Sequence, residues 1–242
     1  MSDLWRHLSR AQKPIVLYGM GDGADKVISA LARFGLQAAD FFASDGFVRG
    51  QYFHGKQVMS YAQVQQKYDD FIVLLSFATS RAEVIEQILS IANERELYAP
   101  DVPVFGDQLF DGAFYEQHKS KIEQTRALLA DERSKEIYDQ VIEYKLTGKL
   151  APLLQSACRA EEAEQLLRPE AYRVVCDLGA YTGDTARAYL ARFPNVQRLY
   201  AFEPDAKNYE KLTAFAQSDP LSLIHICIIS VPCERRFDRD MM

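Results

Sequence analysis

Val174-Val175-Cys176-Asp177-Leu178-Gly179-Ala180-Tyr181-Thr182-Gly183-Asp184 is the stretch on which the fold turns. Its first five residues form a β-branched, mostly apolar run of strand length beginning after Arg173, and Cys176 suits it as a small buried thiol. Two glycines then interrupt the run, after which Ala186, Tyr189, Leu190 and Phe193 recur at helical spacing. A second strand follows over Arg198 to Phe202. A strand, a glycine-bearing turn, a helix and another strand make a β-α-β unit, whose two strands must run parallel.

The turn has chemistry of its own. Gly179 lets the chain bend sharply and approach a ligand without a Cβ clash, and Gly183 relieves crowding where the helix starts over the strand. The N–H groups and positive dipole end at this helix start favour a carboxylate such as that of a methionine moiety. Glu203 closes the next strand, 26 positions after Asp177, where a carboxylate can accept two hydrogen bonds from a ribose diol. The residues in excess of the usual spacing fit the loop at Pro194-Asn195. Asp205 reads as the cap of a further helix with Tyr209, Leu212 and Phe215 inward. The bland alternative is a tight β-α connection that binds nothing, with Glu203 a solvated strand end.

Working outward toward the N-terminus, Ile15-Val16-Leu17-Tyr18 is a buried strand that stops at Gly19-Met20-Gly21-Asp22-Gly23-Ala24. A helix carries Val27, Ala30, Leu31 and Phe34 on one face and ends at Gly35, and a strand over Leu36 to Phe42 follows. A loop with Gly46, Gly50 and Gly55 leads to a helix from Ser60 and to the buried strand Phe71-Ile72-Val73-Leu74-Leu75. Ser80 and Glu83 form a capping-box pattern ahead of Val84, Ile88 and Ile91, and a strand is expected over Val102 to Phe105. From Lys119 to Leu150 the pattern is helical, with Ile122, Leu128, Leu129, Ile137, Val141 and Tyr144 inward and Gly148 as a stop.

The expected architecture is therefore α/β: two Rossmann-like doubly wound parallel-sheet units joined by a helical connector, the second incomplete. The bounds are 1–112 for the first unit, 113–170 for the connector and 171–242 for the second, with an atypical tail from about 218. In the first unit Gly19-x-Gly21-x-x-Ala24 fits a dinucleotide pattern, with Asp40 or Asp45 near the end of the second strand. A phosphate-bearing nucleotide or nucleotide sugar could sit there, and a scaffold that binds nothing gives the same pattern.

Composition excludes several classes. A formal charge of -6 and a pI near 5.3, with no Lys/Arg run, disfavour nucleic acid and anionic membranes as partners. No apolar stretch approaches the ~20 residues of a membrane span, and the N-terminus has no signal-peptide core, so the expected location is cytoplasmic. Cys158, Cys176, Cys227 and Cys233 contain no CxxC pair, and His7, His54, His118 and His225 lack ligand spacing, so no metal is expected. Ser76, Thr79 and Ser80 follow a buried strand without a GxSxG turn, which makes capping their expected role.

Val175 to Thr185 and Tyr200-Ala201-Phe202-Glu203-Pro204, with Asn208 and Leu212 following, resemble the FkbM family of methyltransferases. The connector, through Asp131-Glu132-Arg133-Ser134-Lys135 and Tyr144-Lys145-Leu146-Thr147-Gly148, is similar to that of members with an N-terminal Rossmann-like unit. The resemblance covers most of residues 13 to 216. It implies methyl transfer from S-adenosylmethionine to a hydroxyl of a small molecule or saccharide. It also implies cofactor contacts at Asp177, Gly179, Ala180, Gly183 and Glu203 and names no catalytic base. A departure lies at the C-terminus: 70 residues run from Arg173 to Met242, against the about 150 of an ordinary domain. Leu221 to Val231 fits one more strand, and Cys233 to Met242 fits neither strand nor helix, which reads as a shortened catalytic domain. The rival readings are a non-catalytic nucleotide or nucleotide-sugar binder and, ranked last, an NAD-dependent oxidoreductase.

Overall fold

The protein is described here from a computed structural model, over residues 3–158, 160–218 and 227–228. It divides into two compact units, Met1–Ala157 and Cys158–Met242. The helices of the expected connector therefore fall on both sides of that boundary.

In chain order the first unit holds α1 (Leu4–Arg10), β1 (Ile15–Tyr18), α2 (Asp22–Arg33), β2 (Asp40–Phe42), β3 (Tyr52–Phe53), β4 (Lys56–Gln57) and α3 (Tyr61–Lys67). β5 (Ile72–Leu75), α4 (Ala82–Glu94), β6 (Glu96–Tyr98), α5 (Gly112–Ala127), α6 (Glu132–Thr147) and α7 (Leu150–Ser156) follow. The main sheet runs β2-β1-β5-β6 with every pair parallel. Because parallel neighbours cannot be joined by a tight turn, helices α2, α3 and α4 make the crossovers.

Strand β1 explains why its sequence is apolar at every position. Ile15 and Leu17 pack with Ala24, Val27 and Leu31 of α2, while Val16 and Tyr18 pack with Val64 of α3 and Val84 and Ile88 of α4. Both faces of the sheet are covered, so both sets of alternate side chains are buried. Ser60 caps α3 and exchanges hydrogen bonds with Gln63, a complete capping box. Gly148 ends α6 in the left-handed conformation at φ +64°.

Several expectations are corrected. The fourth strand is Glu96–Tyr98, directly after α4, and not Val102 to Phe105. Pro103 lacks a ladder donor, and Val104 and Phe105 are 86% and 88% exposed. The strand expected from Leu36 shrinks to Asp40–Phe42. Asp40 thus opens β2 instead of closing it, and its buried carboxylate accepts from Lys67 Nζ at 2.7 Å and from the Tyr68 hydroxyl. Arg81, not Ser80, stands at the N-cap position of α4 and makes no side-chain cap hydrogen bond there; Glu83 accepts from the Arg81 guanidinium, and no capping box forms. Leu128 is 85% exposed at the end of α5 instead of inward.

The second unit holds α8 (Ala160–Leu167), β7 (Val174–Leu178), α9 (Asp184–Arg192), β8 (Arg198–Phe202), α10 (Ala206–Ser218) and β9 (Cys227–Ile228). Its sheet runs β7-β8-β9, all parallel. Ala186 and Leu190 of α9 and Leu212 and Phe215 of α10 pack on Leu199 and Ala201 of β8, which covers one face. On the other face of β7, Val174 and Leu178 are 55% and 78% exposed. Cys176 shares that face and is exposed too, contrary to the buried thiol expected there. Of the strand expected over Leu221 to Val231, Cys227–Ile228 pairs with Tyr200 and Ala201, and its other positions lie outside the described residues, as does the tail from Cys233. Among the described residues no helix is long and apolar enough to cross a membrane.

Candidate functional site

The turn between β7 and α9 is built against the end of β8. Gly179 N–H and Ala180 N–H both donate to Phe202 carbonyl oxygen, at 2.8 and 2.9 Å. Tyr181 N–H donates to Glu203 Oε2 at 2.7 Å, and Asp205 N–H donates to Glu203 Oε1 at 2.9 Å. Glu203 is only 6% exposed, so its carboxylate joins the two strand ends instead of standing in solvent. A carboxylate offers about four acceptor sites, which leaves room for two further donors beside these backbone bonds.

The glycines have different reasons to be glycine. Gly179 sits at φ +89°, and a Cβ built there meets nothing within 4 Å, so the turn is open toward a ligand. At Gly183, φ +86°, a Cβ would lie 2.4 Å from the Phe215 ring. The crowding it relieves comes from α10 and not from the strand beneath. Tyr181 holds a left-handed φ of +47°, which costs strain in a non-glycine residue and aims its N–H at Glu203. Nothing in the sequence periodicity marks Tyr181 for this part. Asp205 Oδ1 accepts from Lys207 N–H and Asn208 N–H, both at 3.0 Å, as a cap of α10.

Asp177 is one residue short of the turn, and its Oδ2 is buried with no hydrogen-bond partner. Burial raises its pKa, and the charge of Asp184 raises it further. An aspartate raised in this way supports folding while protonated and loses that support as pH climbs through its raised value, so at neutral pH its charge opposes folding. Asp177→Asn is accordingly expected to raise the melting temperature of the second unit at pH 7. The gain should fade as pH falls below the ordinary aspartate range, and a gain unchanged by pH in thermal unfolding would contradict this.

Asp177, Gly179, Ala180, Gly183 and Glu203 are thus brought to one sheet end. Ala180 is 1% exposed, and its N–H is committed to Phe202 carbonyl oxygen. The residues fit S-adenosylmethionine: an open glycine bend, an orphaned buried carboxylate oxygen for a cationic amine, and acceptor capacity on Glu203 for a diol. In the first unit Gly19 and Gly21 frame the turn after β1, and Ala24 is fully buried in the core. Among the described residues no group of three metal-ligating side chains converges.

The fold is that of an FkbM-like methyltransferase, Rossmann-like and mixed α/β. The chain is similar to the solved methyltransferase FkbM from Methylobacillus flagellatus KT, with a TM-score of 0.58 and 16% sequence identity. The likeness covers 88% of this chain and 62% of that one. No protein-family model matches the chain, and no curated protein matches it.

Proposed function

We propose that the second unit binds S-adenosylmethionine at the turn 179–183 and serves methyl transfer to a hydroxyl of a sugar or metabolite, with a cytoplasmic place of action. The observation that carries the reading is Glu203, a buried carboxylate fixed by two backbone N–H groups at the sheet end, beside the open bend of Gly179. When bound, the cofactor supplies a methyl group already activated by a sulfonium. The chain's part is to hold and orient: Glu203 receives the ribose hydroxyls, and Asp177 and the open bend of Gly179 take the amino-acid tail. Acceptor alignment then governs the rate more than acid-base chemistry does.

The rival, a nucleotide-sugar binder built on the first unit, meets two carboxylates in the first turn of α2. Asp22 and Asp25 already complement the dipole where a phosphate would sit. Calorimetric titration of the full chain with S-adenosylmethionine, NAD and a uridine diphosphate sugar separates these readings. Binding of S-adenosylmethionine alone is expected. Binding of NAD or the sugar nucleotide without S-adenosylmethionine would overturn the proposal.

A further inference from the structure

Tyr181 holds a left-handed backbone in a turn whose other left-handed positions, Gly179 and Gly183, are glycine. A glycine at 181 would avoid the strain, so something about tyrosine has to offset it. The N–H given to Glu203 Oε2 does not, because a glycine would give the same N–H. The offset belongs to the side chain. His54, at φ +48°, shows what such an offset looks like when it comes from within the chain: its ring nitrogen bonds Asp25 Oδ1 at 2.6 Å, and its ring lies edge-on to Phe53. The Tyr181 side chain has no such return. Among the described residues its hydroxyl makes no hydrogen bond and its ring stacks on no other, and the residue is 53% exposed.

The position of Tyr181 in the turn says what its ring would meet. On the cofactor reading above, on which this inference rests, the bend at Gly179 takes the amino-acid tail of S-adenosylmethionine and Glu203 takes the ribose hydroxyls. Tyr181 stands between the two, two residues after Gly179 and joined through its backbone N–H to Glu203. In the cofactor the group between tail and ribose is the sulfonium, bonded to both. The order of groups along the ligand thus matches the order of residues in the turn, with a permanent positive charge opposite the one aromatic side chain there. An aromatic face attracts a cation through its quadrupole and needs no hydrogen bond to do so.

We propose that Tyr181 is a cofactor-binding residue whose ring faces the sulfonium and so favours the methyl donor over S-adenosylhomocysteine, the neutral thioether left after transfer. The contact weakens once the methyl group has gone, which helps the spent cofactor to leave. Asp177, Asp184 and Glu203 attract the sulfonium as well, so the share of the ring is read from variants that keep all three.

The test is calorimetric titration of the full chain with S-adenosylmethionine and with S-adenosylhomocysteine, which needs no acceptor. Tyr181→Phe keeps the ring, Tyr181→Leu keeps an apolar side chain on the same strained backbone without a π face, and Tyr181→Gly removes the strain. The preference for the sulfonium over the thioether should hold within about twofold in the phenylalanine variant and fall about fivefold or more in the other two. Tyr181→Gly should melt at or above the parent temperature, because the strain relieved exceeds the entropy that glycine loses on folding. A preference unchanged in Tyr181→Leu, or a Tyr181→Gly variant that melts well below the parent, would overturn the proposal and make the ring a packing residue. A parent chain that binds neither compound would overturn the cofactor reading itself, and this inference with it.

Discussion

Glu203→Gln is expected to weaken S-adenosylmethionine binding by roughly 10- to 100-fold while the second unit stays folded, because hydrogen bonds to a charged group contribute about 1.5–3 kcal/mol. The substitution keeps the side chain's shape. Its carbonyl can still accept one of the two backbone N–H groups that now reach Oε1 and Oε2. Its amide nitrogen, however, faces the other N–H with a second donor, and it offers a ribose hydroxyl nothing to donate to. One backbone donor left without an acceptor costs about 1–3 kcal/mol, so the melting temperature should fall too. Calorimetry at a temperature where both forms are folded separates the two effects. If affinity holds within twofold while the melting temperature falls, Glu203 is only a brace between the strand ends.

Gly23→Ala is expected to destabilise the first unit by about 3 kcal/mol or more, beyond the ordinary range for an extra core methylene. Two effects of opposite sign compete. Alanine is the better helix former in α2 by about 1 kcal/mol, which taken alone predicts a gain. Against this, the new Cβ would stand 2.1 Å from Ser76 carbonyl oxygen, a backbone atom at the end of β5. That carbonyl cannot turn aside cheaply. Ser76 N–H donates to Tyr18 carbonyl oxygen at 3.0 Å, and its hydroxyl donates to the same oxygen at 2.9 Å. Relief requires α2 to move off β5, with the contacts of Ala24, Val27 and Leu31 in its path. Packing should win. Denaturant unfolding of the first unit measures the outcome, and an alanine variant as stable as the parent would show that the turn yields.

What the sequence made legible follows from how local each signal is. β1, β5, β7 and β8 are found by their apolar runs because burial on both faces, or one closely packed face, writes itself into consecutive residues. The Gly179 turn, Glu203 at its strand end and the Asp205 cap are equally local, and all three stand where the pattern puts them. Helix α1 was not legible. Its seven residues are held by Asp3, which caps it and also accepts from Gly112 N–H, and by Trp5 stacked on Phe34 at 5.2 Å, contacts between distant positions. Glu96–Tyr98 is hidden in the sequence for a related reason. Its three residues carry too short a pattern, and their pairing with β5 is a tertiary fact. The exposure of Cys176 has the same origin, since an apolar strand pattern does not say whether a partner layer covers each face.

A crystal structure of the full chain grown with S-adenosylmethionine tests the central claim most directly. The ligand should lie across the carboxyl ends of β7 and β8, with both ribose hydroxyls on Glu203 and the amino-acid tail over Gly179 next to Asp177. A ligand bound elsewhere, or a Glu203 that keeps only Tyr181 and Asp205 as partners while the cofactor is present at saturating concentration, would contradict it.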